Sequence, residues 1–98
     1  MSLMAAPLSL LRQHEQEIKK RFGVERIGIF GSYVRGEEKP GSDVDILVKF
    51  REGEETFHHY MDLKFYLEDL FGRKVDLVIH DTLKPRLREP VLREVVYV

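Results

Sequence analysis

Apolar positions along this chain change period several times, and each change marks an element. Leu8, Leu11, Ile18 and Phe22 recur at helical spacing after Pro7, with Gly23 placed to stop the run, so an amphipathic helix is predicted over residues 7–22. The short β-branched stretch Arg26-Ile27-Gly28-Ile29-Phe30 suits a buried strand. Gly31-Ser32 ends it, and Ser32 to Arg35 has room for one helical turn before Gly36 opens a loop to Ser42. From Asp43 the period is two: Val44, Ile46, Val48 and Phe50 share one face, and Asp43, Asp45, Leu47 and Lys49 the other. A charged turn over 51–55 leads to a second helix, Thr56 to Phe71, with Tyr60, Leu63, Leu67, Leu70 and Phe71 inward and Gly72 closing it. Lys74 to His80 alternates again, Val75, Leu77 and Ile79 opposite Asp76, Val78 and His80. Pro85 and Pro90 interrupt the tail, and the pattern leaves the type of the Val91–Val98 element open.

The order helix, strand, turn, strand, helix, strand, tail is that of a small α+β domain with three main strands. Its 98 residues make one domain, 1–98, in which Met1-Ser2-Leu3, ahead of a second methionine at Met4, reads as a cloning scar. No cysteine is present, which excludes disulfides and thiolate metal sites and makes the cytoplasm the expected home. No apolar run is long enough for a membrane span. With 16 Lys+Arg against 17 Asp+Glu, the net charge of −1 argues against a general nucleic-acid binder, so no direct nucleic-acid binding is expected.

Three acids stand where acids are expensive. Asp43 and Asp45 are two strand positions apart, roughly 6.6 Å, and point to one face. Asp76 interrupts an otherwise apolar strand. Converging carboxylates raise each other's pKa unless a cation neutralises them, and a carboxylate set suits a hard ion, Mg²⁺ or Mn²⁺. Three carboxylates can hold two such ions and clamp an in-line phosphoryl displacement. Gly31-Ser32 is the companion feature, a turn whose amides and hydroxyl suit a phosphate. Glycine and acid pair meet only if their strands run antiparallel, which argues against a Rossmann arrangement. Neither G-x-G-x-x-G nor a Walker loop is present among Gly28, Gly31 and Gly36.

Other groups read more plainly. His58 and His59 diverge on a helix and suit the surface or an interface. His80 is structural, Lys49 a solvated strand-end lysine, and Arg86, Arg88 and Arg93 a solvated or partner-facing segment. Phe57, Tyr60, Phe65, Tyr66 and Phe71 suit core and partner contacts rather than base stacking.

Gly31-Ser32-Tyr33-Val34-Arg35-Gly36, then Ser42-Asp43-Val44-Asp45, then Asp76 resembles the minimal nucleotidyltransferases of the DNA polymerase β superfamily. The resemblance implies a nucleotidyltransferase fold and metal-dependent transfer of a nucleoside monophosphate from ATP or another NTP to an acceptor hydroxyl. It makes Asp43, Asp45 and Asp76 catalytic residues and ligands of two Mg²⁺ ions, with Mn²⁺ as the substitute. Asp76 also orients or deprotonates the acceptor, and Gly31, Ser32 and Arg35 bind the nucleotide. The small stand-alone members further resemble the antitoxin of a two-gene module that attaches AMP to a tyrosine of a HEPN ribonuclease toxin, which implies that partner and a homo- or hetero-oligomer. Two alternatives stay open: an antitoxin that neutralises by occlusion without catalysis, and nucleotide transfer onto RNA or a small molecule.

Overall fold

The computed structural model describes residues 5–98, so the reading of Met1-Ser2-Leu3 as a cloning scar lies outside the described residues. Helix α1 (Ala5–Phe22) is followed by β1 (Val24–Phe30), a single turn α2 (Ser32–Arg35), β2 (Val44–Phe50), α3 (Phe57–Phe71) and β3 (Val75–Ile79). A 3-10 turn (His80–Thr82), α4 (Pro85–Glu94) and a two-residue β4 (Val96–Tyr97) complete the chain. The sheet order is β3-β2-β1-β4, with β1 antiparallel to both neighbours and β2 parallel to β3.

One face of the sheet carries the core. Leu8, Leu11, Ile18 and Phe22 of α1 and Leu63 and Leu67 of α3 bury against Ile27, Ile29, Val44, Ile46, Val48, Phe50, Val75 and Leu77. A register shift between Val24 and Arg26 turns Val24 onto the same face as Ile27, although the two are an odd number of residues apart. That bulge is why strict alternation starts the strand two residues late. Gly23 ends α1 at φ 68°, where a side chain would be strained.

α3 starts where the Thr56 hydroxyl accepts the His59 amide at 3.1 Å and ends at Gly72, φ 65°. It also fixes β3: Tyr60 donates its hydroxyl to Leu77 O at 2.7 Å, and Glu68 Oε2 accepts the Val75 amide at 3.0 Å. Both bonds flank Asp76.

The tail departs from the sequence expectation. Pro85 occupies the first position of α4 and Pro90 lies inside it, so neither proline interrupts the element. Proline at the first turn forfeits no hydrogen bond, and because Arg86 is exposed, water can reach the carbonyl that Pro90 leaves unpaired. The terminal residues then form a fourth strand against β1, where the pattern indicated three main strands.

Candidate active site

The core face of the sheet is apolar; the other carries the charges. Phe30 pairs with Asp45 across the antiparallel β1–β2 ladder, and Asp45 pairs with Asp76 across the parallel β2–β3 ladder. Directly opposed residues share a face and their backbones lie about 4.8 Å apart, so two carboxylates sit side by side in the sheet. Asp43 precedes β2 rather than lying within it. It is aimed by a tight turn in which Ser42 N–H donates to Lys39 O and Lys39 N–H to Ser42 Oγ, both at 2.8 Å. Asp43 and Asp76 are exposed, whereas Asp45 is half-buried.

Gly31 is in direct contact with this set. Its φ of 79° and ψ of −151° belong to a region held almost only by glycine, and a Cβ there would stand 2.0 Å from Asp45 Oδ2. Gly31 O accepts the amides of Val34 and Arg35 at 3.0 and 3.1 Å, which closes the α2 turn. Burial pushes the Asp45 carboxyl up to about 6, and the charges of Asp76 and Asp43 add to the rise. Arg35 and the Ser32 amide pull the other way.

Among the described residues, no group of three His, Asp or Glu side chains is placed to hold one metal ion. The residues still fit a hard divalent ion. Mg²⁺ retains waters and substrate oxygens and needs only one or two carboxylates, and a half-buried acid with two acidic neighbours is a site that a cation relieves. The carboxylates of Asp45 and its neighbours Asp43 and Asp76 offer oxygen donors alone.

Arg35 is held by carboxylates: Nε donates to Glu37 Oε1 at 2.5 Å and Nη1 to Glu94 Oε1 at 2.6 Å. Two features escaped the sequence pattern. Glu94 lies 59 residues from Arg35, and a glutamate in an exposed tail gives no signal. The second is a cleft of about 340 Å³ lined by Gly41, Ser42, Asp43, Gly72, Arg73 and Lys74, which sets two cations beside Asp43. The β2–β3 register, continued by one residue, opposes Lys74 to Asp43. A groove of about 580 Å³ between α1 and α3 shares no residue with the acids.

The remaining candidates separate from the site. Lys49 faces Asp81 at 3.3 Å and His80 Nδ1 the same oxygen at 2.9 Å. His58 pairs with Asp62 and His59 with Glu54, so the two rings serve different partners. Phe57 and Phe65 are exposed, while Tyr60, Tyr66 and Phe71 pack against the core.

An acid pair opposed to a third acid, with a glycine turn pressed onto it, is the arrangement expected from the chain's resemblance to the nucleotidyltransferases. Residues 11–98 match the nucleotidyltransferase domain family, and the chain belongs to it. It is 53% identical, over 92% of its length and 90% of the relative's, to the protein adenylyltransferase MntA of Thermococcus cleftensis. A solved structure described as a minimal nucleotidyltransferase superimposes with a TM-score of 0.74 at 43% identity, covering 91% of this chain and 93% of that one. The structure of a tri-AMPylated Shewanella oneidensis HEPN toxin in complex with an MNT antitoxin contains the same fold, with a TM-score of 0.65 at 20% identity over 92% of this chain and 70% of that one. The fold and enzyme class expected from the motifs are therefore those of the chain.

Proposed function

We propose that the chain is a metal-dependent protein adenylyltransferase that moves AMP from ATP to a tyrosine hydroxyl of a HEPN toxin, acting in the cytoplasm as its antitoxin. The observation that carries this reading is Asp45, pressed against Gly31 and opposed to Asp76 where β1, β2 and β3 meet. The adenylyltransferase relative supports AMP and a protein acceptor, and the antitoxin of like fold supports the choice of partner. The exposure of Asp76 leaves the acceptor surface to a second protein.

Asp43 and Asp45 would hold the divalent ions, with Asp76 completing the coordination of one, and the bound ions would neutralise the triphosphate and the departing pyrophosphate. Gly31, lacking a side chain, lets Asp45 close against the turn; the Ser32 hydroxyl and Arg35 donate to the phosphates of the nucleotide. Asp76 accepts the proton of the acceptor hydroxyl as the new oxygen–α-phosphorus bond forms and the α–β bond breaks, releasing pyrophosphate.

The test is incubation with α-labelled ATP, Mg²⁺ and the partner toxin, beside Asp45→Asn. Label on a toxin tyrosine, lost in the variant, supports transfer. An unlabelled toxin silenced equally by both proteins overturns it in favour of occlusion.

A further inference from the structure

The last residues of the chain lie against the candidate site. β4 pairs with β1 through Gly28–Tyr97 and Ile29–Val96, and Glu94, the last residue of α4, stands two residues ahead of that paired segment. Gly28 permits this approach, since a Cβ there would stand 2.7 Å from Val96 O and 2.8 Å from Val95 Cγ2. Val98 N–H donates to Ile27 O at 3.1 Å and ties down the end of the segment. The paired β4 anchors the end of α4 beside β1, and Glu94 there reaches Arg35 of the turn, while α4 buries no residue of its own.

At the turn, Glu94 and Glu37 accept from two different nitrogens of Arg35. Their grip fixes the guanidinium plane, and Nη2 has no partner among the described residues. The Arg35 side chain is 53% exposed and that of Glu94 only 19%, so the carboxylate is the anchored member. Exposed ion pairs add little to stability, which directs the consequence of this one to orientation.

We propose that Glu94 is a positioning residue of the transfer site, holding Arg35 at the Gly31-Ser32 turn so that its remaining donors meet a phosphate oxygen of the bound nucleotide. The proposal rests on the reading of that turn as the nucleotide site. Glu94 touches no substrate and acts through Arg35. A pre-ordered arginine loses less side-chain freedom on binding, which corresponds to about 3- to 10-fold in affinity. Mere proximity has the opposite sign: neutralising a carboxylate near an anion tightens binding.

The experiment measures the affinity of the full chain for the Mg²⁺ complex of non-hydrolysable α,β-methylene-ATP by calorimetry. Wild type is compared with Glu94→Gln, Arg35→Gln and the double variant. Glu94→Gln should weaken binding about 3- to 10-fold, Arg35→Gln at least as much, and the double variant no more than Arg35→Gln alone. In transfer assays, KM for ATP rises by the same factor with kcat retained. Unchanged or tighter binding by Glu94→Gln, or additive losses in the double variant, overturns the positioning role alone. A wild-type chain that binds no nucleotide overturns the site reading and the role together.

Discussion

Because Asp45 is half-buried between Asp43 and Asp76, its carboxyl titrates near 6 rather than the ordinary 3.8, with burial the larger cause. The folded state therefore binds more protons than the unfolded state between about pH 4 and 6. Stability from this group is present at low pH and lost as pH rises through that window. Metal-free wild-type protein should lose melting temperature across it relative to Asp45→Asn, whose carboxamide has no proton to release. The same variant should lose at least about 10²-fold in transfer rate, since a carboxylate that would hold the divalent ions at the reacting phosphate is removed. Parallel melting curves from pH 4 to 7 would contradict the first expectation, and retained labelling the second. Asp45 thus weakens the empty fold at neutral pH, as residues held for chemistry often do.

At the scale of elements, the site depends on three strand ends arriving together. Gly31→Ala tests the β1 end. A methyl group at 2.0 Å from Asp45 Oδ2 on a glycine-only backbone should cost about 1–3 kcal/mol in denaturant unfolding and displace the carboxylate. Its transfer activity should fall with it, even at temperatures where the variant is fully folded. The β3 end depends on α3 through the Tyr60 hydroxyl. Tyr60→Phe leaves Leu77 O without this donor, for an expected loss of about 1 kcal/mol, measured the same way. A modest fall in kcat with unchanged KM for ATP would show that Asp76 has shifted on its strand.

The whole molecule puts its main core on one side of a four-stranded sheet and the three aspartates toward the other, so chemistry and stability compete only along the shared strands. Ligand linkage makes this visible. On the proposed reading Mg²⁺ with non-hydrolysable ATP would relieve the acid repulsion and bind only the folded state, so the pair should stabilise the fold by about 2.7 kcal/mol at one hundred times Kd, read as a rise in melting temperature. Chelation should reverse the gain, and Asp45→Asn should abolish most of it. An Asp45→Asn protein stabilised as strongly as wild type would place the bound ion elsewhere.

Much of this was legible in the chain itself. Local rules suffice where neighbours in sequence decide the outcome: the helix ending at Gly23, the Thr56–Gly72 boundaries of α3, the alternation from Val44 to Phe50, and the requirement that Gly31 and Asp45 meet on antiparallel strands. Asp43, Asp45 and Asp76 stood out because acids in or beside apolar strands need a reason. Tertiary structure alone decided the bulge that turns Val24 inward, the helix through Pro90 and the pairing of β4. Each rests on partners distant in sequence or on access to water that no periodicity records. Glu94 is the clearest case: 59 residues separate it from Arg35, and it reaches the turn from the end of α4, which β4 anchors beside β1.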